Sequence, residues 1–324
     1  MKNILVTGAA GFIGSNLINA LSNDKNYGLI LTDKNGSRDN PTEVFESSNQ
    51  RPNIQYLDIT DRESTFKFFS NHEVDTCVHL ASLINVEDSI KDPDKTMDVN
   101  VNGTVNVLDS CSYNNVNSFI FASSASVYGH PTKLPITEEH QLKPLSPYGT
   151  SKLLGERHVL SYMNSGKIQR TISLRIFNVY GADQSGSASV ITQFAKRLSM
   201  GLPPIVHGTG LQKRDFISIN DVVNAILLSI KAMEVENDQL ESAYPLIFNI
   251  GTGVGTSILD LCDQMIKLSG LNLHPIFKEG NSKGDISASC ADITKAKTIL
   301  NFVPKSDLES DLQALISSMV TTQD

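Results

Sequence analysis

Ile4-Leu5-Val6-Thr7-Gly8-Ala9-Ala10-Gly11-Phe12-Ile13-Gly14 joins a short apolar run to a glycine-rich turn, and Leu17, Ile18 and Leu21 continue from it at helical spacing. The order is strand, turn, helix. Glycines 8, 11 and 14 permit a tight turn and let backbone amides approach an anion held at the positive helix N-terminus. A second buried run, Leu29-Ile30-Leu31-Thr32, ends in Asp33, about 20 residues past the last glycine, which is the context that gives a glycine turn meaning as a dinucleotide site. A carboxylate there accepts hydrogen bonds from a ribose diol and repels a 2′-phosphate. Asp33 therefore favours NAD over NADP, while Lys34 and Arg38 leave NADP open.

Outward from this unit the chain alternates. Short apolar runs at 54–57, 76–80, 119–122 and 171–176 read as further strands, with helical patterns at 99–113 and 153–162 between them. Alternating strands and helices predict an α/β fold, a Rossmann-type doubly wound parallel sheet. After about residue 178 the pattern loosens: Gly and Ser residues fill 181–189, a helix follows at 190–200, and Pro203-Pro204 ends it. The expected organisation is a Rossmann domain over 1–177, with returns near 220–250, and a smaller lobe over 178–324.

The strand Phe119-Ile120-Phe121-Ala122 runs into Ser123-Ser124-Ala125-Ser126-Val127-Tyr128-Gly129, so hydroxyls cluster at a strand end, where an open α/β sheet keeps its ligand crevice. Pro147 suits the first turn of a helix on which Tyr148 and Lys152, four apart, share a face. A nearby ammonium favours the phenolate and lowers a phenol's pKa. Ser124, Tyr148 and Lys152 thus form a candidate general acid/base device for alcohol to ketone chemistry, although an isolated Tyr-x-x-x-Lys pair is more often a surface feature. His79, on a buried strand, reads as a satisfied core residue without a catalytic role.

Bulk properties narrow the classes. The 324 residues suffice for one large or two modest domains. A net charge of −8 without a basic run speaks against nucleic-acid and anionic-membrane partners. Cys77, Cys111, Cys262 and Cys290 are far apart and form no metal-binding pair, which favours free thiols and no metal. Neither a secretory leader nor an apolar run of roughly 20 residues is present, so a cytoplasmic location is expected.

The G-x-x-G-x-x-G spacing together with Tyr148-x-x-x-Lys152 resembles the short-chain dehydrogenase/reductase superfamily. Asp58-Ile59, His79-Leu80-Ala81-Ser82, Asn100-Val101-Asn102-Gly103-Thr104, Phe177-Asn178-Val179-Tyr180-Gly181, Arg214-Asp215-Phe216-Ile217-Ser218-Ile219-Asn220-Asp221-Val222, Gly284-Asp285 and Ala291-Asp292 resemble its extended, nucleotide-sugar branch, over nearly the whole chain. Sugar 4,6-dehydratases of that branch carry an Asp-Glu pair, and nucleotide-glucuronate decarboxylases a Glu, just after the active-site hydroxyl. This chain has Ala125 and Ser126, which leaves hydride and proton shuttling as in the 4-epimerases.

By that resemblance the cofactor is NAD, contacted by Gly8, Gly11, Phe12, Ile13, Gly14, Asp33, Asp58, Ile59, Leu80, Ala81, Asn100, Tyr148 and Lys152. The substrate is a UDP-hexose, UDP-N-acetylhexosamine or uronic acid form, contacted by Ser124, Ser126, Asn178, Arg214, Asp285 and Ser289. The Gly208-Thr209-Gly210 turn presents Arg214 to a diphosphate, or to Asp215 as a surface ion pair. Relatives place a second arginine where this chain has Ser282, with Lys283 beside it. Ser289 stands where a bulky tyrosine closes the pocket to an N-acetyl group, and the helices at 99–113 and 147–163 imply a homodimer. A reductase of 4-keto sugars using the same trio is the alternative activity, and a non-catalytic NAD sensor a weaker one.

Overall fold

The computed structural model describes residues 1–22, 24–37, 53–181, 189–234, 246–279 and 286–321, with side chains to residue 317. Two compact units divide the chain. The first takes Met1–Tyr128, Leu142–Arg175 and Val223–Phe248, and the second Gly129–Gln141, Ile176–Val222 and Asn249–Asp324.

The first unit is built on strands β1 (Lys2–Thr7), β2 (Tyr27–Asp33), β3 (Gln55–Tyr56), β4 (Thr76–His79), β5 (Ser118–Ser124) and β6 (Arg170–Ile176). With strand Leu246–Ile250 they form one seven-stranded parallel sheet in the order Leu246–Ile250, β6, β5, β4, β1, β2, β3. The order reverses at β1, which pairs in parallel with β2 on one side and β4 on the other. Ligands of doubly wound sheets bind outside the carboxyl ends of strands at such a switch point. The expected strand at 54–57 is only two residues long, paired in parallel with β2 through Gln55 and Tyr56, with the Leu57 amide donating to the Asp33 carbonyl.

Helix α1 (Phe12–Leu21) buries Leu17, Ile18 and Leu21, each side chain contributing roughly 1.5–3 kcal/mol. The core beneath the sheet gathers Leu5, Ile30, Phe69, Cys77, Leu108, Cys111 and Phe119. The helical pattern at 99–113 resolves into a π-helical turn over Asp98–Asn102 and α5 (Gly103–Tyr113), preceded by α2 (Arg62–Ser70), α3 (Val86–Lys91) and α4 (Pro93–Met97). Helix α6 (Pro147–Asn164) has Pro147 in its first turn, as the sequence suggests, and starts on a Ser146 cap that accepts from the Gly149 amide.

The second unit has its own core of Tyr180, Phe194, Val206, Leu261, Met265 and Leu312. Its helices at Val190–Ser199 and Ile258–Ser269 are amphipathic, and Asn178–Tyr180 pairs in parallel with Phe216–Ser218. The four cysteines are free thiols. Among the described residues no helix is long and apolar enough to cross a membrane, and no His, Cys, Asp or Glu cluster could hold a metal.

Candidate active site

The glycine turn closes at the carboxyl end of β1. Gly8 has φ +71°, open to glycine without strain, and a Cβ on it would meet the Ala81 amide nitrogen at 2.7 Å. A Cβ on Gly14 would lie 2.3 Å from the Gly8 carbonyl oxygen. The turn is thus a bare-backbone cradle against Leu80 and Ala81, whose amides are themselves tied to Thr7. Helix α1 opens without a side-chain cap, so the first-turn amides at Phe12 and Ile13 are offered at its positive end. Asp33 at the end of β2 faces this turn and accepts from the Ala10 amide at 3.1 Å. A pyrophosphate on the cradle and a ribose diol at Asp33 fit these groups.

Lys34, a possible handle for a 2′-phosphate, is ion-paired to Asp58 at 2.8 Å, and Asp58 also accepts from Thr60. Burial works against the Asp58 charge, but the bonds from Lys34 and Thr60 hold its carboxyl below the ordinary range. That disposition supports NAD. Arg38 lies outside the described residues. Ile59 is a core side chain that fills the space beside Gly103. Asn100, placed in the π-helical turn and 2% exposed, exchanges two hydrogen bonds with the Leu83 backbone and donates to Ser151 at 2.9 Å. Its side chain braces the loop after β4 against α6.

Ser124, Tyr148 and Lys152 converge in the first unit. Ser124 closes β5, its hydroxyl 3.0 Å from that of Ser126, and it faces the Tyr148 phenol closely enough to favour the charged form. Lys152 is 4% exposed and donates to Ser82 Oγ at 3.0 Å and the Ala122 carbonyl at 2.8 Å, with Nζ 5.9 Å from the Tyr148 ring centre.

One expectation is reversed. The Tyr148 pKa is raised: desolvation pushes it up and the Ser124 bond offsets this only in part. Burial also lowers the pKa of Lys152, to about 7. Its charge is therefore only partly present near neutrality. His79 sits between Thr7 and Thr104 hydroxyls at 2.7 and 3.0 Å and is driven by burial to about 3, a neutral core residue as the sequence suggests.

In the second unit, Asn178 donates its amide nitrogen and its side chain to the Asp215 carbonyl at 3.0 and 3.1 Å. Arg214 donates to the carbonyls of Lys213 and Ile286 at 2.7 and 2.8 Å. The Asp215 carboxylate turns inward instead, accepting from Thr252, Gly253 and Ala291. Ser289 is 3% exposed, its amide bonded to the Lys213 carbonyl. Ser282, Lys283 and Asp285 lie outside the described residues.

A network that the motifs do not reveal stands behind the serine cluster. Glu156 and Arg175, 4% and 2% exposed, form a two-bond ion pair at 2.9 and 2.8 Å that also engages Ser123 and Tyr128. Removing one partner of such a pair strands a buried charge at a cost of roughly 3–5 kcal/mol. The one available signal is that Glu156 continues the Tyr148–Lys152 face by another four residues.

Sheet order, glycine cradle and Tyr-x-x-x-Lys pair define a Rossmann-type nicotinamide-dependent enzyme of the short-chain dehydrogenase/reductase kind. The family model for the NAD dependent epimerase/dehydratase family matches residues 4–251, and the chain belongs to that family. It is 31% identical to the UDP-glucose 4-epimerase of Drosophila melanogaster over 90% of this chain and 89% of that one. Among solved structures it is similar to the UDP-glucose 4-epimerase of Thermotoga maritima with UDP-glucose, at TM-score 0.86 and 32% identity, covering 99% of this chain and 100% of that one. It is also similar to the UDP-glucuronic acid 4-epimerase of Bacillus cereus in complex with UDP-glucuronic acid and NAD, at TM-score 0.85 and 29% identity, covering 99% of each.

Proposed function

We propose that this chain is an NAD-dependent UDP-sugar 4-epimerase, with the Rossmann unit holding NAD and the second unit the nucleotide sugar. The observation that carries the reading is the convergence of Ser124, Tyr148 and Lys152 beside a glycine cradle, with Ala125 and Ser126 where elimination chemistry would need a carboxylate. Gly8, Gly11, Phe12, Ile13, Gly14, Asp33, Leu80 and Ala81 would hold the cofactor. NAD, when bound, supplies a positively charged hydride acceptor for the sugar's C4.

The protein's own part is proton handling. Ser124 donates to the sugar's 4-oxygen and fixes it beside Tyr148. Tyr148 takes the 4-hydroxyl proton as the alcohol becomes a ketone and returns it after the 4-keto sugar presents its other face. Lys152, ammonium or amine near neutrality, relays charge to the phenol and is anchored so that it cannot swing away. Arg214, with its planar fork, and Asn178 serve the diphosphate. A reductase of 4-keto sugars would use the same trio but release its cofactor after every turnover. Purified protein tests this directly: nicotinamide that survives gel filtration is expected, and an empty protein dependent on added NADPH would favour the reductase.

Substrate choice follows from Ser289. Its small side chain leaves space beside the sugar's C2 substituent, so UDP-N-acetylhexosamines are expected to be accepted at least as well as plain UDP-hexoses. Ser289→Tyr should selectively lower kcat/KM for the N-acetylated sugar, and an equal loss on both would refute the assignment. The homodimer would form through the helices at 99–113 and 147–163, and light scattering at micromolar concentration should return twice the mass of the chain. A monomer mass contradicts it. A cytoplasmic location accords with this chemistry.

A further inference from the structure

The Ser124–Ser126 turn is held from behind. Ser123, the residue before it, donates its hydroxyl to Glu156 Oε1 at 2.5 Å. Tyr128, two residues after Ser126, receives a hydrogen bond from Arg175 Nη1 at 3.0 Å, with its ring 4.9 Å from the guanidinium carbon. Glu156 and Arg175 close the circuit with their paired bonds, Nε to Oε1 and Nη2 to Oε2. All four side chains are at most 4% exposed. Both ends of the reactive turn are therefore anchored to one ion pair, which itself ties α6 to β6.

The anchoring is in register with the chemistry. Glu156 lies one helical turn beyond Lys152, so α6 grips the end of β5 at two successive residues: Lys152 at the Ala122 carbonyl and Glu156 at Ser123. Ser124 is next in line. A buried ion pair is rarely retained for stability alone, since an apolar pair of similar volume serves as well or better. Here the pair also hydrogen-bonds the two residues that flank the serine turn.

We propose that Glu156 and Arg175 are positioning residues, acting through Ser123 and Tyr128 to set where the Ser124 hydroxyl meets the Tyr148 phenol. The proposal rests on the reading of Ser124 and Tyr148 as the proton-handling pair. Displacement by about 1 Å of a group that must meet reacting atoms costs on the order of 10²-fold in rate.

The test is the double variant Ser123→Ala/Tyr128→Phe, which removes both hydroxyl tethers while leaving the ion pair and the Tyr128 ring in place. Expressed per NAD-loaded chain, kcat should fall at least about tenfold, with KM for the UDP-sugar within about twofold and NAD retention unchanged. A kcat within about twofold of the parent overturns the proposal, as does a loss shared equally by KM, which would mean general disturbance. If the double variant does not fold, Ser123→Ala alone is read the same way, with a threefold fall in kcat as the expected minimum. A crystal structure of the variant provides a readout independent of turnover. Ser124 Oγ should be displaced relative to the Tyr148 phenol when parent and variant are superposed, and an unmoved Ser124 overturns the proposal even if the parent proves to catalyse some other reaction.

Discussion

Tyr148→Phe is expected to lower turnover by at least about 10²-fold, close to 2.7 kcal/mol of transition-state stabilisation, while bound NAD stays in place. The substitution removes one oxygen from a side chain whose backbone amide is fixed by Ser89 Oγ at 3.2 Å and leaves the ring itself unchanged. Fold and cofactor cradle are therefore untouched. What is lost is the group that accepts the 4-hydroxyl proton. Because burial raises the phenol and Ser124 only partly offsets this, the free protein carries Tyr148 protonated at neutral pH. Phenolate character has to come from the positive charge brought by the bound cofactor and from the protonated fraction of Lys152. Turnover within tenfold of the parent would remove Tyr148 from the mechanism.

Lys152→Ala is expected to do broader damage: at least about 10²-fold in turnover, together with loss of nicotinamide on gel filtration. Its ammonium is anchored to Ser82 Oγ and the Ala122 carbonyl, one group on the loop after β4 and one on β5. Truncation frees the Ser82 loop beside Leu80 and Ala81 and leaves a buried carbonyl without its donor. Comparing the ratio of bound NAD to protein in the parent, Tyr148→Phe and Lys152→Ala separates the two roles. Full retention in Lys152→Ala would contradict the anchoring.

Local pattern carried much of this architecture. The glycine turn, the strand before it and Asp33 are contiguous features whose geometry follows from backbone freedom and hydrophobic spacing, and they stand where the spacing puts them. Tyr148 and Lys152 were legible because helical periodicity alone places residues four apart on one face. The Glu156–Arg175 pair was not, since it joins a helix to a strand and depends on which strand lies next to β5. Desolvation is equally hidden: a motif shows which charge is near Tyr148, but only the folded enclosure shows that burial outweighs it. The π-helical turn at Asp98–Asn102 likewise has no local signal, because Asn100 is drawn there by partners on a distant loop and helix.

The central claim is reversible inversion at C4 with a cofactor that never leaves. Purified protein, given no added nicotinamide, should be incubated separately with UDP-glucose, UDP-galactose, UDP-N-acetylglucosamine and UDP-glucuronate, and the products resolved by chromatography. Many turnovers to the C4 epimer of at least one of these sugars are expected, approached to the same ratio from either epimer. No C4 epimer from any of them, or product formed only in proportion to added NAD(P)H, would contradict it.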